Sequence, residues 1–180
     1  LRIDYSQQTG NAEHDLRKYD ARKAKNWGST GCGGKNDRDA LDNVAKQYPV
    51  KDVSLITTVE AAEAALLAGC PITIASSVGF EGERNAEGII RRRGQWPHQM
   101  AIIALRYTAN GEPLFLVLNS WGRYLQGKLF GVDWDALDGC AFWIVADDLR
   151  AILRDQDSFA FSKVEGFALP PFDFADYIRG

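Results

Sequence analysis

Two runs of apolar residues lie close together near the middle of the chain and predict a pair of β-strands. The first run, Met100–Leu105, is M-A-I-I-A-L, and the second, Leu114–Leu118, is L-F-L-V-L. The segment between them contains Asn110-Gly111, a dipeptide that favours a tight hairpin turn. We therefore predict that the two runs pair as neighbouring antiparallel strands.

The remaining pattern separates helices from strands along the chain. Apolar spacing and capping residues predict helices over residues 11–25, 37–48 and 59–68, the third capped by Thr58. Strands are predicted over residues 53–57, 70–76, 139–145 and 158–164, with a short helix over 147–153 and a long loop over 77–96. This segregation predicts an α+β fold, with helices mostly in residues 11–68 and an antiparallel, barrel-like sheet in residues 70–165.

A polar residue lies at the edge of each of the two central strands. His98 precedes the first run, and Asn119 follows the second. Antiparallel pairing brings both to the same end of the sheet, where an amide oxygen would fix the orientation and tautomer of the imidazole. The alternative is that His98 is a hydrogen-bonded histidine of a strand edge and Asn119 a turn residue.

The sequence around these residues resembles the second half of a papain-like cysteine peptidase. W-P-H-Q-M-A-I-I-A-L-R-Y is followed by F-L-V-L-N-S-W-G, and that family carries its catalytic His before an apolar strand and its Asn in an N-S-W-G motif after the next. The resemblance covers about residues 59–145. It implies that His98 and Asn119 are catalytic and that Trp121 shields their hydrogen bond from water. Pro97 departs from the family, which usually has a polar residue there.

The same resemblance implies a domain division and a substrate class. Residues 1–58 would be the remainder of a helical subdomain with its connecting loops, residues 59–165 a β-rich subdomain carrying His98 and Asn119, and residues 166–180 a C-terminal tail. The implied activity is hydrolysis of peptide bonds by thiol acyl transfer. The implied partner is a peptide or protein substrate.

The nucleophile is the difficult part of this interpretation. The family has a Cys at the start of a helix, far upstream of its His, where the imidazole activates the thiol. Cys70 and Cys140 lie at or in predicted strands and are expected to be packing residues. Cys32 precedes a helix, but Asn26 stands where a Gln is expected, and G-C-G-G also resembles a non-catalytic loop of the family. We expect the nucleophile upstream of Leu1 or on a partner chain, with Cys32 as the alternative.

Composition narrows the class of protein. A net charge of −3 argues against nucleic acid as the main partner, and no apolar run approaches the roughly 18 residues of a membrane span. Three widely spaced cysteines fit a reducing compartment such as the cytoplasm slightly better than secretion, although localisation stays open. Two isolated histidines and three dispersed cysteines lack metal-ligand spacing. We predict no metal and no organic cofactor.

Two other classes of protein also fit the sequence. The domain could be a catalytically inactive papain-like module in a larger assembly, with the apolar tail 166–180 as a docking segment. It could also be an ordinary α+β binding protein whose resemblance is accidental. The chain begins at Leu1 without Met or a signal peptide, and we expect a fragment or a processed product.

Three further features are predicted to be structural. His14 is predicted to lie at the surface of the first helix, and Arg91–Arg93 to form a solvated turn. Residues 123–138 are predicted to be an insertion-like loop that packs locally.

Overall fold

The computed structural model describes residues 6–15, 20, 22, 38–47, 49–80, 82–121, 123–132, 137 and 139–164. The chain divides into two compact units, one of residues 1–50 and 164–180 and one of residues 51–163. The described elements of the first unit are α1 (Ser6–Thr9), a 3-10 helix (Ala12–His14) and α2 (Arg38–Ala45). The others are β1 (Val50–Leu55), α3 (Val59–Leu67), β2 (Ile72–Phe80), β3 (Arg92–Tyr107), β4 (Pro113–Leu118), β5 (Ala141–Val145), α4 (Ala146–Leu153) and β6 (Ser158–Val164).

The six strands form one antiparallel sheet in the order β1-β6-β2-β3-β4-β5. With four short α-helices among the described residues, this confirms the predicted α+β class and the antiparallel sheet. The predicted barrel is wrong, because the sheet stays open between β1 and β5. Closure would need the outer edge of β5, which is already bonded: Ile90 N donates to Trp143 O over 2.9 Å, and Trp143 N donates to Gly88 O over 3.0 Å.

The predicted hairpin is present. Strands β3 and β4 pair from Ala101 opposite Leu118 to Tyr107 opposite Pro113. In the turn, the Thr108 N–H donates to Glu112 O over 2.8 Å, and Gly111 has a φ of 80°. Few residues other than Gly adopt such a φ, and the Asn-Gly turn therefore follows from local sequence.

Strand β3 begins earlier than the sequence predicts. The predicted loop 77–96 is wrong at both ends, because β2 continues to Phe80 and β3 starts at Arg92. The register shifts twice there: Ser76 lies opposite His98, Val78 opposite Gln95, and Phe80 opposite Arg92. Each shift inserts one extra residue into β3, in the intervals that contain Pro97 and Gly94. These residues indicate a loop in the sequence, but a β-bulge tolerates a missing N–H and a positive φ.

Apolar residues cover both faces of the central sheet. Phe115 and Val117 of β4 lie in a large cluster with buried residues of α3 and α4, whereas Leu114 and Leu116 lie in a second cluster. Because successive side chains of a strand point to opposite faces, the two clusters lie on opposite sides of β4. The segment predicted as a locally packed insertion contributes Leu129 and Leu137 to the second cluster, and these two residues therefore belong to the core.

Helix α3 matches its prediction closely. It spans Val59–Leu67, and the Thr58 hydroxyl accepts a hydrogen bond from Ala61 N over 3.1 Å. This N-cap satisfies one of the N–H groups that the first helical turn leaves without an intrahelical acceptor. Gly69, with a φ of 77°, follows the helix end, as expected for a terminating glycine.

The structure differs from the predictions for the N-terminal residues. Of the helix predicted over residues 11–25, the described part contains the 3-10 helix Ala12–His14, and most of the remainder lies outside the described residues. The surface prediction for His14 is wrong, because it is only 1% exposed and its Nδ1 lies 2.7 Å from Thr9 Oγ1. Among the described residues, no helix has the length and apolar character that crossing a membrane requires.

A buried carboxylate joins the start of β3 to α4. Asp148 is fully buried, and its Oδ2 lies 2.8 Å from Arg91 Nε while its Oδ1 lies 3.5 Å from Arg92 Nε. The predicted turn is wrong, because Arg92 begins β3. The side chains of Arg91 and Arg92 stay 65% and 50% exposed, as predicted for a solvated segment, but they also pair with a carboxylate that lies 57 residues from Arg91 and that no sequence pattern reveals. These two ion pairs of Asp148 anchor the chain just before the bulged part of β3.

Candidate active site

His98 and Asn119 lie on the same face of the sheet, at neighbouring strand positions. His98 is in β3, two residues before the buried Met100, and Asn119 directly follows β4, two residues after the buried Val117. Both flanking residues belong to the large core cluster. The alternation of each strand therefore carries both polar side chains to the edge of that cluster.

The two side chains are hydrogen-bonded. His98 Nε2 lies 2.9 Å from Asn119 Oδ1, and the same oxygen lies 2.7 Å from the backbone N of Ser120. A backbone N–H only donates, and the amide atom facing it must therefore be the oxygen. His98 must in turn donate from Nε2, because an amide oxygen has no proton. The predicted proximity of His98 and Asn119 is confirmed, whereas their catalytic role stays a prediction.

This arrangement leaves Nδ1 of His98 as the basic nitrogen. A neutral imidazole carries one proton, and with that proton on Nε2 the lone pair is on Nδ1. In the part of the chain that the structure describes, Nδ1 makes no hydrogen bond. The lone pair on Nδ1 is therefore oriented by a bond on the far side of the ring, which is the arrangement that a general base requires.

The amide of Asn119 is itself held firmly. Asn119 is 3% exposed, and its Nδ2 donates to Tyr124 Oη over 2.8 Å. Its backbone N donates to Cys140 O over 3.0 Å. Burial raises the pKa of the Tyr124 phenol, and the hydrogen bond from Asn119 acts in the opposite direction. The phenol therefore stays neutral over the pH range in which an imidazole normally titrates.

Aromatic rings surround the imidazole. Trp121 is 54% exposed, and its ring centroid lies 4.7 Å from that of His98, with 34° between the planes. Trp96 lies 5.4 Å from His98 and 4.9 Å from Trp121. Trp121 thus lies over the imidazole, whereas its shielding of the His98–Asn119 bond stays a prediction, and Trp96 adds a second ring that the sequence pattern does not indicate.

The position of Trp96 depends on a glycine in the neighbouring strand. A Cβ placed on Gly79 would lie 2.6 Å from both Cδ1 and Nε1 of Trp96, and 2.6 Å from Arg93 O. Real Cβ atoms do not approach other atoms so closely. Gly79 therefore gives the indole the space in which it packs beside His98.

The described cysteines do not contact the imidazole. Cys70 lies between α3 and β2, and the neighbouring Ile72 pairs with Ile102, beyond His98 along β3. Cys140 is buried, and its Sγ donates to Leu137 O over 3.5 Å. Cys32, the alternative nucleophile, lies outside the described residues.

Two residues of the site were missed in the sequence. Trp96 falls in the predicted loop 77–96, and the β-bulge between Gln95 and His98 breaks the alternation that would link its side chain to that of His98. Tyr124 lies in the segment predicted as an insertion, and no periodic signal connects its hydroxyl to Asn119.

Metal ligation has no support in the described residues, where no group of three or more His, Cys, Asp or Glu side chains could hold an ion. No protein-family model matches the chain, and a search of curated proteins finds no match either. The papain-like interpretation therefore depends on the motifs and on the geometry of His98, Asn119 and Trp121 alone.

Proposed function

We propose that this domain carries the imidazole–amide half of a papain-like cysteine peptidase site, acting on peptide or protein substrates. One observation carries the proposal: His98 donates from Nε2 to the buried Oδ1 of Asn119. A histidine held in this way presents Nδ1 to a nucleophile, as thiol acyl transfer requires. The ring of Trp121 over the imidazole is consistent with a hydrogen bond that must be kept from water.

The proposed chemistry assigns a role to each group. Nδ1 of His98 takes the proton of a Cys thiol, and the thiolate attacks the peptide carbonyl carbon. The imidazolium then protonates the leaving amine, and a thioester to the Cys remains. Water, deprotonated by the same Nδ1, hydrolyses the thioester and restores the thiol. Throughout the cycle, Asn119 Oδ1 accepts the Nε2–H bond and keeps the ring oriented.

The thiol is the component that decides between an active and an inactive domain. Neither Cys70 nor Cys140 is bonded to His98 in the structure. The proposal therefore requires Cys32 or a Cys in sequence outside this chain. If neither serves, the alternative is a papain-like module that has kept its fold and lost its activity.

A thiol-directed epoxide probe tests the proposal. It should be applied to this chain and to the chain extended by any coding sequence that precedes it, with the labelled Cys mapped by mass spectrometry. We expect one labelled Cys in the competent protein, and loss of labelling in His98→Ala. Gln99→Ala is the matched control, because Gln99 is exposed and adjacent residues of a strand point to opposite faces.

The outcomes separate the hypotheses. Labelling that Cys32→Ser abolishes would identify Cys32 as the nucleophile, and labelling at a Cys outside this chain would identify that residue. Labelling that survives His98→Ala would contradict the role of His98. A folded protein that is never labelled and hydrolyses no peptide would favour the inactive module.

A further inference from the structure

The amide of Asn119 has two distinct anchors, one for each of its ends. Oδ1 accepts from Ser120 N over 2.7 Å and from His98 Nε2 over 2.9 Å. Nδ2 donates to Tyr124 Oη over 2.8 Å. The backbone donor sets which way the amide points, and the phenol holds the opposite end.

We propose that Tyr124 is a positioning residue of the site, which holds the amide of Asn119 and through it the imidazole of His98. This deepens the proposed function, on which its kinetic consequence depends. The hydroxyl of Tyr124 contacts neither Nδ1 of His98 nor a reacting atom in this arrangement, and it acts only through Asn119.

Tyr124 is placed well for this task. Its backbone N donates to Gly139 O over 2.9 Å, which ties the residue to the turn before β5. Its ring centroid lies 5.5 Å from that of Trp121, the ring that covers His98. The phenol is thus fixed by its backbone and by its ring, and the hydroxyl is free to act as the acceptor for Asn119.

Burial explains why the hydroxyl matters. Asn119 is 3% exposed, and an Nδ2 group without an acceptor could find a new partner only if the amide rotated out of place. Such a rotation would break the bond from His98 Nε2 to Oδ1. Tyr124 therefore keeps the His98–Asn119 bond closed for a larger fraction of the time than Ser120 N alone.

The first test is Tyr124→Phe, read out at the Nε2 proton of His98 by NMR on the 180-residue protein. The sequence has two histidines, and His98→Ala assigns the resonance by its loss. We expect the exchange of this proton with solvent to become about fivefold faster, as for the loss of one hydrogen bond of ordinary strength. The tautomer should not change, because Ser120 N still faces Oδ1. Tyr107→Phe is the matched control, since Tyr107 is exposed at the far end of β3.

The second test measures kcat and KM in protein that carries the nucleophile. Tyr124→Phe should lower kcat about fivefold and leave KM unchanged. Combined with Asn119→Ala it should add no further loss, because Tyr124 acts only through that amide. An exchange rate equal to that of Tyr107→Phe, or a loss that adds to that of Asn119→Ala, would overturn the proposal.

Two provisions keep the outcomes distinct. If Tyr124→Phe does not fold, the unmodified protein decides: a nuclear Overhauser contact between the Asn119 Nδ2 protons and the Tyr124 ring supports the proposal, and its absence overturns it. The exchange test needs no nucleophile. An absence of peptidase activity would therefore count against the proposed function and leave the positioning role of Tyr124 to the NMR result.

Discussion

An imidazole has two nitrogens, and at His98 the neighbouring residues decide which of them holds the proton. The deciding contact is indirect: Ser120 N donates to Asn119 Oδ1, and this contact forces the amide oxygen to face His98 Nε2. Because Asn119 is buried, water does not compete for the amide. A histidine at the edge of a strand thus acquires a fixed tautomer with its basic nitrogen on the other side.

Substitution of the two proposed catalytic residues should have unequal effects. In protein that carries the nucleophile, we expect His98→Ala to lower kcat by about 10⁴-fold or more, because the thiol loses its base. Asn119→Ala should cost about 10²-fold, since it removes orientation but leaves the base in place. Steady-state hydrolysis of a peptide substrate measures both. Gln99→Ala should match the unmodified enzyme, and equal losses for His98→Ala and Asn119→Ala would contradict the assigned roles.

The phenol of Tyr124 gives a prediction about alkaline pH. Burial raises the pKa of this group above its ordinary value of 10.0. The folded protein therefore binds the phenolic proton more tightly than the unfolded chain does, and this contribution to stability is lost as the pH rises from the unfolded to the folded pKa. The tyrosinate absorbance of the unmodified protein minus that of Tyr124→Phe should show a group that titrates above 10. A difference curve centred at or below 10 would contradict the prediction.

At the scale of single elements, β3 is longer and less regular than its apolar run predicts. It spans Arg92–Tyr107, and register shifts against β2 fall in the intervals that contain Gly94 and Pro97. A bulge bends a strand and redirects the side chains that follow it. Trp96 and His98 lie at these bulges, where the side chains of β3 reach the edge of the large core cluster.

Gly79→Ala tests how the neighbouring strand supports this stretch. The new Cβ would lie 2.6 Å from the Trp96 indole and from Arg93 O, and the indole must move. We expect a loss of about 1–3 kcal/mol in the free energy of unfolding, as for overpacking elsewhere, together with a change in tryptophan fluorescence. Chemical denaturation measures the first effect. Ser77→Ala, an exposed position of the same strand, is the control, and equal stability of the two variants would show that Trp96 is not confined.

At the scale of the whole sheet, hydrogen bonds along the outer edge of β5 explain why the sheet stays open. Residues 88–90 bond to Trp143 along that edge. The following arginines, Arg91 and Arg92, then pair with Asp148 on α4. The segment between β2 and β3 therefore covers the outer edge of β5 and is fastened to a helix, which leaves that edge unavailable for pairing with β1 in a closed barrel.

The ion pairs of Asp148 give the prediction at this scale. Arg91→Gln combined with Arg92→Gln leaves a fully buried carboxylate without a cation, and we expect a loss of about 3 kcal/mol in the free energy of unfolding at neutral pH. Arg150→Gln breaks the exposed pair with Asp147 on the same helix and should cost less than about 1 kcal/mol. Urea denaturation measures both. Similar losses in the two variants would show that burial of Asp148 does not set the cost.

The sequence by itself determined the features that depend on residues close together in the chain. The hairpin follows from two apolar runs and an Asn-Gly turn, α3 from its spacing and the Thr58 cap, and β6 was predicted with its observed bounds. The proximity of His98 and Asn119 was predictable for the same reason, because a hairpin turn fixes the register of the residues on either side.

Only the tertiary structure decided the features that join distant or aperiodic positions. Asp148 lies 57 residues from Arg91, and Gly79 lies on the strand next to the one that holds Trp96. No period along the chain indicates such contacts, and glycine or proline marks a bulge as readily as a loop. The phenol of Tyr124 reaches Asn119 for the same physical reason: packing of the segment after N-S-W-G, and not its pattern, puts the hydroxyl within hydrogen-bond distance of the amide.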